Sequence, residues 1–261
     1  MIENEYTLQD NYRALNSATS EGTQIKFKMG NEYFKIDKVG HEGLVEYLVT
    51  LLLEHSTITP DRYAHYSMCK INGNNGCKSL SFLADDEEFV AVHSLYKKVT
   101  GKVTLANDLS VLQNAEDRLK LLLDTVAVVG VNPNEFKEYV STVMQLDMLI
   151  ENPDRHHHNY GVVYNHNTGA LKPAPIFDNG QALHTSNQDS YCGATISGSF
   201  EEQVTTFGFP ITPKFRIDYD GVMEAVKDLM GYSETKFMLS QLERYKSMFK
   251  GNRIQILNAF I

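Results

Sequence analysis

The stretch 146–180, LDMLIENPDRHHHNYGVVYNHNTGALKPAPIFDNG, restricts the fold of this chain more than any other. An apolar helical run closes on Pro153, and Asp154 and Asn159 follow, five positions apart. A strand-like run, 160–164, comes next. After the apolar run 174–177, a second acid, Asp178, stands in an Asp-Asn-Gly triplet. Each of these polar groups falls where a regular element gives way to a loop, the position from which side chains on a rigid support face a ligand. Asn-Pro-Asp-Arg and Asp-Asn-Gly are each ordinary turn chemistry when taken singly. Their succession, with a strand between them, is the informative feature.

Two carboxylates and an amide in that order suit magnesium-dependent phosphoryl transfer. Asp154 would accept the proton of an attacking hydroxyl, while Asn159 and Asp178 hold Mg²⁺ against phosphates. The three histidines 156–158 invite a metal reading of a different kind. Neighbours on an extended loop point apart, however, and the i, i+4 histidine pair of a helical zinc site is missing. A zinc hydrolase built on the triplet is therefore the weaker rival. The helix that delivers Asp154 announces its own start: Asn132 at the N-cap, Pro133 at the first helical position and Glu135 at the third make a capping box. Its apolar positions Phe136, Val140, Val143 and Leu146 continue towards Ile150, and Pro153 is expected to end it.

The first third reads as strands. Residues 1–16 form a polar lead-in, and 16–24 a hydroxyl-rich loop containing Gly22, Thr23 and Gln24. Runs 25–29 and 33–36 are joined by Gly30-Asn31, a hairpin signal. Lys26 and Lys28 share a face and read as a solvated edge; Lys35 alternates with Phe34 and Ile36 on the next strand. From Glu42 the period becomes helical, with Leu44, Leu48, Leu51 and Leu52 on one face and Glu42 and Glu46 one turn apart. A strand lysine followed by a helix glutamate is the pairing that orients a lysine at nucleotide phosphates. Acids in a first turn also simply favour the helix dipole. Strands over 62–71 and 77–83 flank an Asn/Gly-rich turn at 72–76. The acidic run 85–88 reads as a solvated turn, and 80–88 as a crossing into a mainly helical remainder. That remainder contains a helix over Ala115, Leu119, Leu122, Leu123 and Val126, the capped helix, and two further helices near 218–230 and 234–249.

With 33 acids against 24 bases in 261 residues, the net charge is −9 and no basic cluster stands out. Nucleic acid as a direct partner is not expected, because phosphate-backbone binding needs concentrated Lys and Arg. The polar, acidic start MIENEYTLQD is unlike a secretory signal, and the longest apolar run, 121–131, is broken by Asp124. No membrane association is expected. Cys69, Cys77 and Cys192 have no metal-type spacing; buried free thiols in a reducing cytoplasm are the expectation, with Cys69 and Cys77 facing each other across a hairpin.

Asp154-Arg155-His156-x-x-Asn159 followed by Asp178 is similar to the motif pair of HipA-like serine/threonine kinases, and the first motif also occurs in phosphatidylinositol kinases. Two further stretches agree: Tyr-Phe-Lys35-Ile-Asp…Gly-x-Glu-Gly-Leu-x-Glu46, and Ser20-x-Gly22-Thr-Gln24, which resembles the family's phosphate loop with Ile25 in place of proline. The resemblance covers roughly 15–185. It departs at His158, where the family often has lysine. It implies an α+β, two-lobed protein-kinase-like fold, with a β-rich lobe over 1–84 and a helical lobe over 85–261. It also implies an ATP- and Mg²⁺-dependent kinase acting on serine or threonine of a protein. In it Asp154 is the base, Asn159 and Asp178 hold metal, Lys35 and Glu46 (Glu42 as second choice) orient phosphates, and Gly22, Thr23 and Gln24 form the phosphate loop. His156 would pack inside and fix the catalytic loop. Autophosphorylation of that phosphate loop, an antitoxin-like regulator in a toxin–antitoxin setting, and a cytoplasmic monomer complete the expectation. A nucleotide-binding pseudokinase and a lipid or small-molecule kinase are the alternatives.

Overall fold

Alternating apolar and polar residues around two tight turns build the first sheet. The computed structural model describes residues 4–13, 24–102, 104–185 and 214–250. Strands β1 (Glu5–Tyr6), β2 (Lys26–Met29), β3 (Glu32–Ile36), β4 (Tyr66–Ile71) and β5 (Asn74–Leu80) lie in the order β1-β4-β5-β3-β2. Gly30 takes a φ of +59° in the first turn, as expected. The second turn is tighter than the five residues expected. Asn72 and Gly73 both take positive φ, 52° and 79°, so this Asn-Gly pair closes a two-residue hairpin and 74–76 join β5. The shorter turn also sets the register. Cys77 lies opposite Met68 and Cys69 opposite Gly76, so the two thiols lie on opposite faces of the sheet, not across from one another. Both are free and buried.

One face of this sheet is covered by the N-terminal residues. Leu8 and Tyr6 pack on Phe27, Phe34, Cys69 and Ile71, and β1 runs parallel to β4. The other face carries helix α1 (Glu42–Glu54), which crosses β5 closely: a β-carbon on Gly43 would fall 2.5 Å from the Gly76 carbonyl carbon. After Leu80, a bend over 81–86 leads to β6 (Glu87–Ala91), the first strand of a second sheet with β7 (Gly161–Asn165) and β8 (Leu171–Pro173) in the order β6-β7-β8. Only part of the acidic run is a turn. Glu87 and Glu88 belong to β6, and Glu87 Oε1 lies 2.7 Å from Lys172 Nζ.

The helical part comprises α2 (Val92–Thr100), α3 (Leu105–Ser110), α4 (Ala115–Val128), α5 (Pro133–Ile150), α6 (Tyr219–Ala225) and α7 (Ser233–Lys250). Asn132 caps α5 as expected, its Oδ1 accepting from the N–H of Asn134 (2.9 Å) and Glu135 (3.5 Å). The helix stops before Pro153: Glu151 turns left-handed at φ +46°. The largest apolar cluster joins Leu44, Leu48 and Leu52 of α1 to Leu122, Phe136, Val140, Leu149, Phe215 and Met238, so α1 shares one core with the helices. Among the described residues, no helix is long and apolar enough to cross a membrane.

Candidate active site

Register places Lys35. Its neighbour Phe34 faces the N-terminal cover, so Lys35 points to the α1 side of the sheet. There its Nζ lies 2.6 Å from Glu46 Oε1 and 2.7 Å from Asp178 Oδ1. Glu46 is 1% exposed and Lys35 8%, and the Tyr66 ring centroid sits 5.0 Å from the ammonium. Burial works against the lysine charge, but the Asp178 and Glu46 carboxylates outweigh it and hold the ammonium well above its ordinary pKa. The second Glu46 oxygen accepts the Asn179 N–H at 3.0 Å, which ties α1 to the Asp-Asn-Gly loop. Glu42, the other choice for this role, is engaged elsewhere. Its carboxylate accepts the N–H groups of Lys38, Val39 and Gly40 and braces the loop that enters α1.

Asp178 adopts φ +62° at the end of the run from β8. The approach is held by pairing with the segment after α1: Ile176 N–H donates to Arg62 O and Ile176 O accepts the Ala64 N–H, both at 2.8 Å. Phe177 packs with Phe82 and Phe89, at 5.3 and 5.1 Å between ring centroids. Burial alone would raise the Asp178 pKa, yet the Lys35 and Lys26 charges hold it well below the carboxylate range. Asp154 is shifted the opposite way. Burial raises its pKa and Asp178's charge adds to the rise, while His156 opposes it. One carboxylate is thus kept ionised, and its neighbour is made a better proton acceptor.

A buried guanidinium brings the two halves together. Arg155, 1% exposed, pairs with Asp147 of α5 (Nε–Oδ2 2.9 Å, Nη2–Oδ1 3.0 Å). It also donates to Phe177 O (2.8 Å), Asn159 O (3.3 Å) and Asn179 Oδ1 (2.7 Å). A single side chain therefore fixes the loop of Asn159 next to the loop of Asp178. The turn that carries Asp154 and Asn159 is closed by its own polar groups. Asn159 Oδ1 accepts the His156 N–H, Asn159 Nδ2 donates to Asp154 O, and Asp154 N–H donates to Asn152 Oδ1. Arg155 is buried in this loop together with Asn152 and Asn159, whereas His156, expected to pack inside, is half-buried. The Asp147 carboxylate meets the Arg155 charge there and offsets the cost of burying it. His157 Nδ1 lies 2.8 Å from Tyr160 Oη, while His158 packs on His93 at 4.4 Å between ring centroids. Among the described residues, no three His, Cys, Asp or Glu side chains are grouped to hold a metal.

The hard-oxygen set of Asp178 and Asn159 fits magnesium, which takes one or two protein oxygens and completes its shell with phosphate and water. The amide oxygen that accepts the His156 N–H has a second lone pair for an ion. Of the expected phosphate-loop residues, Gln24 donates to Ile36 O at 3.4 Å, while Gly22 and Thr23 lie outside the described residues. Two side chains escaped the sequence. Lys26 stands directly opposite Lys35 in the β2–β3 register and its Nζ reaches to 3.9 Å from Asp178 Oδ2, so it lines the site and is no solvated edge. Asp147 sat unremarked within an apolar helix. An acid at a core-facing helical position was the available signal for a buried partner.

A β-sheet lobe crossed by one helix, a short link and a helical part with its own small sheet make this a protein-kinase-like fold. The fold is similar to that of the Helicobacter pylori proinflammatory kinase CtkA, with a TM-score of 0.60 and 15% identity over 86% of this chain and 90% of that one. HipA of Shewanella oneidensis MR-1, solved with HipB and operator DNA, aligns with a TM-score of 0.45 and 12% identity over 92% of this chain and 67% of the other. No family model matches the sequence, and no curated protein does.

Proposed function

We propose that the chain is an ATP- and Mg²⁺-dependent phosphotransferase acting on a serine or threonine hydroxyl of a protein. The observation that carries this reading is the ammonium of Lys35 held between Glu46 (2.6 Å) and Asp178 (2.7 Å) on the kinase-like fold. In this reading Lys35, oriented by Glu46, binds the nucleotide phosphates, and Lys26 adds a second positive charge from the facing strand. Gly22, Thr23 and Gln24 supply the loop over the phosphates. Asn159 and Asp178 hold Mg²⁺, which when bound neutralises phosphate charge. Asp154 orients the acceptor hydroxyl and takes its proton, a task that its raised pKa assists. Positioning and charge neutralisation supply most of the rate. The hydroxyls of the phosphate loop are acceptors to test in cis, and the sequence resemblance extends the reading to an antitoxin-like protein regulator and a cytoplasmic monomer.

Radiolabelled γ-phosphate transfer, with and without generic protein acceptors, decides it. Wild type should label protein, and Asp154→Ala should lose transfer at least about 100-fold while still binding MgATP. Asp178→Ala should lose both. Full transfer by the Asp154 variant would overturn the assignment, and a MgATP-induced thermal shift without any transfer by wild type would mark a pseudokinase.

A further inference from the structure

The segment after Asp178 leaves the site along α1 rather than away from it. A β-carbon on Gly180 would touch Glu42 and Glu46, at 3.4 and 3.5 Å. Leu183 and His184 then take left-handed backbone at φ 57° and 55°, a pair of conformations that non-glycine residues adopt only when their surroundings hold them there. Leu183 is held by its N–H on Ile150 O at 2.9 Å and by burial in the main core. His184 is held by Glu151 Oε2 at 2.8 Å and edge-on by Phe237.

This enforced bend turns Thr185, 5% exposed, into the start of α1. Thr185 Oγ1 accepts the His41 N–H at 2.8 Å, at the cap of that helix. The backbones are so close that a β-carbon on Gly40 would fall 2.0 Å from Thr185 O. The loop that reaches Thr185 is braced by Glu42, which gathers the N–H groups of Lys38, Val39 and Gly40. It is also continuous with α1, and Glu46 lies one turn beyond Glu42.

We propose that Thr185 is a positioning residue, whose hydroxyl anchors the start of α1 to the Asp178 segment and so keeps Glu46 on Lys35. The proposal rests on the reading of Lys35 as the nucleotide-binding lysine. A loss of this anchor lets the first turns of α1 open more often without unfolding the core they share with the helices.

The full chain is compared with Thr185→Val, Thr185→Ser, Glu46→Gln and the Thr185→Val/Glu46→Gln double variant. Without nucleotide, amide hydrogen exchange over 38–46 should quicken about tenfold in Thr185→Val and stay within about twofold of wild type in Thr185→Ser. Exchange in α5 should not change. Gly40→Ala, which breaks the same contact from the other side, should reproduce the Thr185→Val pattern. Thr185→Val should weaken MgATP binding about fivefold, and the double variant should bind no more weakly than Glu46→Gln alone, as for two residues acting through one contact. Unchanged exchange over 38–46, a uniform rise across the chain, or additive losses in the double variant would each overturn the proposal. Failure of wild type to bind MgATP would instead sink the phosphotransferase reading, while the exchange measurements would still decide the anchor.

Discussion

Arg155 shows how one residue can decide whether a site exists. Its guanidinium meets Asp147, Asn159, Phe177 and Asn179 from a single buried position. A lysine keeps the charge but offers a point of attachment where the arginine offers a planar fork. Arg155→Lys should therefore cost about 3 kcal/mol of stability, read from the urea midpoint at unchanged slope. A loss under about 1 kcal/mol would show that the two loops stay together without this bracket. His157 makes a second case. Burial, with His93, His156 and His158 adding to it, pushes its imidazole from 6.5 down to about 4. The unfolded chain takes up a proton near 6.5 and the folded one only near 4, so the stability involved is complete above pH 6.5. It is lost as the pH falls from there towards 4. Between pH 7.5 and 4.5 the wild type should lose on the order of 2 kcal/mol more than His157→Gln, measured by denaturant titration at both values. Equal losses would place the acid sensitivity elsewhere.

At the scale of elements, what could be read beforehand was local. Asn132 and Pro133 spelled the start of α5, Gly30 and the Asn/Gly run 72–76 the presence of two hairpins, though not the length of the second turn, and the leucines from Leu44 the buried face of α1. Asn132→Ala should cost about 1 kcal/mol, visible as a lower denaturation midpoint. An unchanged midpoint would mean that tertiary packing alone sets the start of α5. What could not be read was long-range. Lys26 and Lys28 are equivalent along the chain, and only pairing with β3 and the arrival of Asp178 from 152 positions away make Lys26 part of the site. The parallel β1–β4 pairing, the one-residue offset of the thiols and the burial of Arg155 rather than His156 belong to the same class. Short elements such as α3 and β8 carried too few residues for any periodicity to register. Asp154 and Asn159 could be singled out because they stand at a fixed spacing inside one loop, and Asp178 because it sits in a turn triplet just after an apolar run. The second lysine was not, because its place depends on strand register.

For the whole molecule, the decisive feature is that α1 belongs to the core of the helical part as well as to the first sheet. A core shared in this way couples the two parts energetically. Heat or urea should unfold the chain in a single transition that coincides by tyrosine fluorescence and far-ultraviolet dichroism. Two separated transitions would show that the sheet and the helices hold their folds independently.

The register that sends Cys69 and Cys77 to opposite faces of the sheet has a practical result. Neither thiol can bond to the other, and each is sealed beneath a different apolar cluster, Cys69 under the N-terminal cover and Cys77 among Tyr66, Phe89 and Phe177. With Cys192 replaced, the rates at which the two react with a labelling reagent become separate clocks, one timing the lifting of the N-terminal segment and the other the parting of the aromatic floor beneath the site.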